Sequence, residues 1–310
     1  MSASPHPLDV LFLTNFSDFC FRSIPSIAQL ADGFTMRLTL MHVYDPARTS
    51  ARAAGELLDS FFPEADRYAS CRRVAAPGPL LGAVKRHQQL WPVNLIVAPS
   101  SDPLGWPRLG ERSVRARLLE ECGVPVWTMG RRVTAMKLVQ PVRNVACWMD
   151  FRSEQHEHLP FAIEYAQRLG ATLHLLRGLP RLEEGQVLPP EPSERSLHPE
   201  GAVRDLASLC HGLVPRPRYH VGHGEGPRAL TELLARSDAD VVFMRDEPRR
   251  LSRWFGLGLR FAAAMPCPAV YVGGRLGIPH WNLEPASAGR AARAARETTR
   301  VRRHPAVAPA

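Results

Sequence analysis

The order of apolar and polar stretches in the first 130 residues predicts alternating strands and helices. Short, continuous apolar runs at 9–14 and 95–97 are typical of strands that are buried on both faces. Stretches with helical spacing follow such runs and end at Gly33 or before Pro63. Because right-handed crossovers join strands in this order, the pattern predicts a parallel sheet with helices on both faces.

The same pattern begins again near residue 144, which indicates an internal repeat. The offset between the copies drifts from 135 to 148 residues, as small insertions in loops would cause. The matched residues are Ala31 and Ala166, Leu38 and Leu173, Gly78 and Gly226, Asn94 and Asp240, and Pro125 and Pro268. We predict α/β domains at 8–132 and 143–274, a linker at 133–142, and a basic, disordered Ala/Arg/Pro-rich tail at 275–310.

Composition favours a globular protein and disfavours specific nucleic-acid recognition. Hydrophobic residues make up 45% of the 310 residues, and no apolar run approaches the roughly 18–20 residues needed to cross a bilayer. The net charge of +9 is spread along the chain, apart from six arginines after Trp281. No export signal is visible and the six cysteines form no CxxC pair, so we expect a cytoplasmic protein with reduced thiols and no membrane segment.

An ordered set of segments, present twice, resembles the universal stress protein family in its tandem form. The first strands read LFLTNFSD and ACWMDFRSE, the second strands RLTLMHV and ATLHLLR, and the closing strands GVPVW and PCPAVYV. The resemblance implies two Rossmann-like (HUP-type) domains, each a five-stranded parallel sheet with helices on both faces. It also implies that the closing strands at 125–129 and 268–272 pair within one chain as a pseudo-dimer, or that a homodimer forms.

Family members that bind ATP carry an acidic residue after the first strand, a valine at the end of the second, and Gly-x2-Gly-x9-Gly-Ser/Thr after the fourth. Glycines let the backbone approach the phosphates, and the hydroxyl meets them at a helix N-terminus. In the first domain, Val43 and Ser113 match this pattern, whereas Asn15 replaces the acidic residue. The three glycine positions are taken by Pro99, Asp102 and Arg112.

The second domain also departs from the ATP-binding pattern. It keeps Asp150 but has Gly178 where the first domain has Val43. Asp150 either contacts an adenine or ribose or caps the helix beginning near Ser153, and Ser113 is either a phosphate ligand or a helix N-cap. Arginines could instead clamp a phosphate by charge, or form a solvated basic loop; they are Arg245, Arg249, Arg250 and Arg253.

No catalytic or metal-binding constellation is recognised in the sequence. The histidine pairs His156–His158 and His220–His223 have no Cys or carboxylate at ligand spacing, so we expect ordinary histidines. We predict a stress-response binding or regulatory module with degraded ATP-binding loops, no enzymatic activity and an unidentified protein partner. Two alternatives stay open: a stress sensor that binds ATP or AMP in one domain, and a nucleotide-processing enzyme of the HUP class.

Overall fold

The computed structural model describes residues 6–99, 114–149, 156–179, 198–213, 215–224, 227–246 and 265–273. The strands in these ranges are β1 (Leu8–Thr14), β2 (Met36–Tyr44), β3 (Ser70–Pro77), β4 (Leu95–Val97), β5 (Val126–Thr128), β6 (Asn144–Met149), β7 (Thr172–Leu179), β8 (Arg218–His223), β9 (Val241–Asp246) and β10 (Ala269–Gly273). The helices are α1 (Asp18–Ala28), α2 (Leu30–Gly33), α3 (Ala51–Ser60), α4 (Ala65–Tyr68), α5 (Leu80–Leu90), α6 (Val114–Cys122), α7 (Ala135–Val139), α8 (His158–Leu169), α9 (Pro199–Leu209) and α10 (Pro227–Ser237).

The strands form one hydrogen-bonded sheet of ten strands, in the order β3-β2-β1-β4-β5-β10-β9-β6-β7-β8. Strands β1–β5 (the first half) are parallel to one another, and so are β6–β10 (the second half). The closing strands β5 and β10 pair antiparallel, with Trp127 opposite Val270. The predicted α/β class is confirmed, and the closing strands join the halves within one chain.

Strand register shows that the two halves are copies of one unit. The pairs are Val10 with Leu38 and Leu95 in the first half, and Val145 with Leu173 and Val241 in the second. Equivalent residues are therefore 135 apart in the first two strands of each half, and 146 apart in the fourth. These are the offsets that the sequence predicts for the same elements.

One predicted match between the halves is wrong. The backbone N–H of Gly78 donates to Tyr44 O, and that of Gly224 donates to Leu179 O, the equivalent carbonyl. Both glycines have a left-handed φ, 96° and 104°. The partner of Gly78 is therefore Gly224 rather than Gly226, at the offset of 146 residues that also relates β4 to β9.

Helices cover both faces of the sheet, and each face has a core that runs through both halves. One core lies under α1–α4 and α7–α9 and includes Phe12, Phe61 and Phe243. The other lies under α5, α6 and α10 and includes Ile96 and Leu230. Strand β1 is buried along its whole length, as expected where both faces are covered. No helix within the described ranges is long and apolar enough to cross a membrane.

The segment predicted as a linker contains α7, and the residues on either side of α7 accept hydrogen bonds from α1 and the residue after it in the first half. Gln29 Nε2 donates to Gln140 O at 2.9 Å, and the Arg22 guanidinium donates to Val133 O. The halves also touch directly at Gly33, where a Cβ would lie 2.8 Å from Arg168 O. The predicted boundaries 8–132, 133–142 and 143–274 stay predictions, and the tail 275–310 lies outside the described residues.

Lys137 on α7 completes a polar clasp at the start of β6. Asp240 Oδ2 accepts hydrogen bonds from the backbone N–H groups of Arg143 (2.9 Å) and Asn144 (3.0 Å). Asp240 Oδ1 accepts from Lys137 Nζ at 2.9 Å, and the Asp240 residue is only 8% exposed. In the first half the neutral Asn94 makes the equivalent bond, accepting from Asp9 N. The second half has a charged residue there, and it therefore needs a nearby cation.

We expect the change Lys137→Met to destabilise the chain by about 2 kcal/mol, because it leaves the Asp240 carboxylate without its cation. Urea unfolding at neutral pH measures this. Lys85→Met is the matched control: Lys85 pairs with Glu121 at an exposed position, so this variant should lose clearly less stability than Lys137→Met. Equal losses in the two variants would contradict the role given to the clasp.

Candidate functional site

A crevice of about 470 Å³ opens at the carboxyl ends of the first-half strands. It lies over the ends of β1, β2 and β4 and beside the first residue of α6, Val114. This is a topological switch point, because β2 pairs with one side of β1 and β4 pairs with the other side. Ligands of open α/β sheets bind at such a switch point, and the volume falls in the range of small-molecule sites.

The described wall of this crevice is mainly apolar. Met41, Val43 and Leu80 contribute to it, together with the residue after β4, Ala98. Polar groups come from Thr14, Asn15, Tyr44 and Asp45. Asp45 is the one charged residue among the described lining residues, so this part of the wall is uncharged or negative.

The turn between β1 and α1 has a strained backbone. Phe16 has φ 60°, a left-handed conformation that is uncommon for a residue with a side chain. Its N–H donates to Thr14 Oγ1 at 3.0 Å, and its ring packs 4.5 Å from the His42 ring. Asn15 Oδ1 accepts from Ser17 N and from the Cys20 thiol. The amide oxygen of Asn15 therefore stabilises the turn at the rim of the crevice.

Of the residues predicted to bind a nucleotide, the structure describes one, Val43, and leaves the other two outside the described ranges. Val43 lines the crevice at the end of β2. Ser113 and Asp150 lie outside the described residues, and so do Asp102, Arg112 and the arginines at 249, 250 and 253. Pro99 lies in the crevice wall, where it supplies no N–H donor to a phosphate.

Around Gly178, the described part of the equivalent edge of the second half is filled by side chains and backbone. Gly178 occupies the position of Val43, and a Cβ there would lie 2.1 Å from Gly224 O and 2.9 Å from the Trp148 ring. Trp148 takes the place of Leu13, one of the crevice residues in the first half. The second half therefore has a tryptophan and a carbonyl where the first has space.

His158 is buried beside this closed edge. It is 1% exposed, and its Nε2–H donates to Trp148 O at 2.7 Å. Burial lowers the pKa of His158 to about 4, and nearby His156 and Arg245 shift it in the same direction. Within the described ranges, no group of three or more His, Cys, Asp or Glu residues could hold a metal ion. His158 is thus a neutral residue of the core.

The histidine at 220 pairs with a different residue from the one suggested by its spacing. His220 Nε2–H donates to His174 Nδ1 at 2.9 Å, and the two rings are stacked. His174 Nε2–H in turn donates to Asn144 Oδ1 at 3.1 Å. Burial lowers the pKa of His174 to about 4, so the pair is neutral at neutral pH. The expectation of ordinary histidines concerned His220 with His223, whereas the structural partner lies on β7.

Several residues that form or close the site were not singled out in the sequence. Thr14, Tyr44 and Asp45 were missed because polar residues at strand ends are common in any α/β protein. The closure at Trp148 and Gly224 was also missed. Gly178 was its visible signal, because a glycine in place of valine in a buried strand indicates a close backbone approach.

Solved structures show the same fold over most of the chain. A universal stress protein from Archaeoglobus fulgidus DSM 4304 is 13% identical, with a TM-score of 0.63 over 86% of this chain and 96% of that one. A putative universal stress protein from Pseudomonas aeruginosa UCBPP-PA14 is 14% identical, with a TM-score of 0.56 over 94% and 98%. A functionally unknown protein from Pseudomonas aeruginosa PAO1 is 13% identical, with a TM-score of 0.56 over 95% and 98%.

Sequence comparison places a family domain in the second half. No curated protein sequence matches the chain. The model of the Universal stress protein family matches residues 141–258, which begin just before β6 and continue beyond β9. Residues 141–258 therefore match the universal stress protein family, and the first half of the chain repeats the α/β fold of this segment.

Proposed function

We propose that the chain is a regulatory binding module of the universal stress type that takes one small molecule, in its first half. The observation that carries this proposal is the difference between the two equivalent edges. The first half has a crevice of about 470 Å³ at the switch point, and in the second half the Trp148 ring and Gly224 O lie against Gly178. One chain then binds one ligand at this pair of edges and offers its remaining surface to a protein partner.

Adenine nucleotides are the first ligands to test, because Val43 lies in the crevice wall at the end of the second strand. The described wall favours the adenosine part over the phosphates. Pro99 has no N–H to donate, and Asp45 would repel a phosphate placed beside it. We therefore expect adenosine or AMP to bind at least as well as ATP. This ranking of the ligands agrees with the sequence prediction that the ATP-binding loops of both halves are degraded.

We further propose that the module has no enzymatic activity. The polar groups in the described crevice wall are a threonine, an asparagine, a tyrosine, the Cys20 thiol, which donates to Asn15 Oδ1, and one carboxylate that is already engaged. Asp45 Oδ1 accepts from Ala47 N at 3.0 Å, so it holds its own turn. An assay for nucleotide hydrolysis by the full chain tests this proposal, and turnover that Val43→Trp abolishes would favour the HUP-class enzyme instead.

The change Val43→Trp should fill the crevice and abolish ligand binding. A ligand present at a concentration of 100 times its Kd should raise the free energy of unfolding of the wild-type chain by about 2.7 kcal/mol. This gain should be lost in the variant. Thermal unfolding with adenosine, AMP and ATP in parallel measures the effect, and equilibrium dialysis gives the stoichiometry.

Val139→Trp is the matched control, because it places the same large ring at an exposed position of α7. It should keep the full ligand-induced shift. A ligand that stabilises Val43→Trp as strongly as the wild type would contradict the proposed site. A stoichiometry of two would show that the second half also binds.

A further inference from the structure

A second cavity lies at the opposite edge of the first half, where its strands begin. It has a volume of about 80 Å³, and its polar lining consists of Asp9, Arg37, Thr39, Ser70, Arg72 and His87, with Trp91 beside them. We call it the Arg72 cavity. A water molecule takes about 30 Å³ in the liquid, so this cavity has room for a small polar group rather than a nucleotide. It is separate from the crevice of the proposed function.

Three neighbouring strands supply the charged floor of the Arg72 cavity. In the sheet, Asp9 of β1 is opposite Arg37 of β2. Arg72 of β3 is opposite Thr39, which lies two residues after Arg37 on β2. Arg37 is committed to Asp9 in a bidentate ion pair, with Nε–Oδ1 at 2.6 Å and Nη2–Oδ2 at 2.7 Å. These two charges cancel, so Arg72 gives the floor its net positive charge.

The Arg72 guanidinium is held in place but has donors to spare. Its carbon lies 3.3 Å from the centre of the Trp91 ring, which is a close cation–π contact. In the described part of the chain it makes no ion pair and no side-chain hydrogen bond. Stacking fixes the plane of a guanidinium and leaves its edge N–H groups in position for a planar or tetrahedral oxyanion.

His87 forms the buried wall of the cavity. It lies in the last turn of α5 and is only 6% exposed, yet its imidazole makes no hydrogen bond to any residue of the described ranges. Buried polar side chains are nearly always paired with protein or with ordered water, and neither a protein hydrogen-bond partner nor an ion-pair partner meets the His87 ring within the described ranges. Burial, and then the nearby Arg72 guanidinium, lower the pKa of His87. An anion beside both groups would reverse that shift.

A purely structural role accounts for Arg72 alone. The carboxyl end of α5 is the negative end of the helix dipole, and a cation there is favourable without any ligand. This does not account for the unpaired imidazole or for the space between the two side chains. We infer that the Arg72 cavity binds a small oxyanion, of the carboxylate or phosphate type, between the Arg72 guanidinium and the His87 imidazole.

The inference is tested on the full chain by nuclear magnetic resonance of the His87 ring, titrated with acetate in one arm and inorganic phosphate in the other. We expect saturable binding with a Kd on the order of 1 mM in at least one arm. The pKa of His87 should rise when the anion is bound. The charged groups that line the cavity together with this ring are Asp9, Arg37 and Arg72.

Arg72→Gln should weaken anion binding by about tenfold or more, because it removes a charge-assisted hydrogen bond to the anion. The matched control Arg48→Gln changes an arginine that is 86% exposed and distant in the sequence, and it should leave binding unchanged. Dependence on Arg72 in either arm supports the site, and the arm that saturates identifies the anion. Non-saturable shifts in both arms, or equal losses in the two variants, would overturn it.

Val43→Trp should bind the anion normally, so failure of one site is distinguishable from failure of the other.

Discussion

Gly178→Ala should destabilise the chain by about 3 kcal/mol, because even a methyl group at this position meets atoms that cannot move away. The added Cβ would lie 2.1 Å from Gly224 O, a backbone atom, and 2.9 Å from the rigid Trp148 ring. Gly224 is also fixed, since its N–H donates to Leu179 O at 2.6 Å. The end of β7 or the turn after β8 must therefore shift. Guanidinium unfolding, followed by tryptophan fluorescence and circular dichroism, measures the loss.

Gly55→Ala is the matched control for this prediction. Gly55 lies within α3, and a Cβ there meets nothing within 4 Å, so the same substitution should raise stability by about 0.5–1 kcal/mol. If Gly178→Ala were as stable as the wild type, the second-half edge would have room to open. The claim that this edge is closed would then fail.

Between pH 7 and pH 4 we expect His158 alone to remove about 3 kcal/mol from the free energy of unfolding. The pKa of His158 is about 4 in the folded chain, whereas an imidazole in the unfolded chain has its ordinary value of 6.5. The unfolded chain therefore takes up a proton first as the pH falls. Stability is complete above pH 6.5, declines below it, and stops declining near pH 4, where the folded chain is protonated too. Each pKa unit corresponds to about 1.4 kcal/mol.

The change His158→Gln isolates this contribution. The glutamine amide can donate to Trp148 O in place of the imidazole, but it does not titrate. The variant should be less stable at pH 7 and should lose about 3 kcal/mol less than the wild type on acidification. His211→Gln alters an exposed histidine and serves as the control, with the wild-type pH profile. Parallel profiles for the wild type and His158→Gln would show that His158 is not the residue responsible.

The repeat and the order of elements follow from sequence pattern because buried parallel strands are nearly continuous apolar runs. Strand β4, for example, is fully buried and was predicted at the residues where it lies. Helix ends are less well determined by pattern. A single helix was expected up to Asp32, but α1 ends at Ala28 and α2 begins at Leu30, after a proline within α1. Proline at 25 lacks an N–H for the helical ladder, and its effect a few residues later depends on packing.

The candidate site was only partly predictable. Val43 could be located by resemblance, because its position at a strand end is set by the fold. The close packing around Gly178 depends on three residues that are distant in sequence, Trp148, Gly178 and Gly224. The Arg72 cavity likewise needs a strand register and a helix end that sequence alone does not supply. Contacts of this kind become visible only when the strands are placed side by side.

The antiparallel pairing of β5 with β10 has a consequence for how such a protein can change. When two identical subunits meet through their last strands, every substitution appears in both of their sites at once. Here the two partners are encoded separately within one polypeptide and are held at a fixed ratio. A mutation can thus change the strand ends of one half while those of the other half stay as they are.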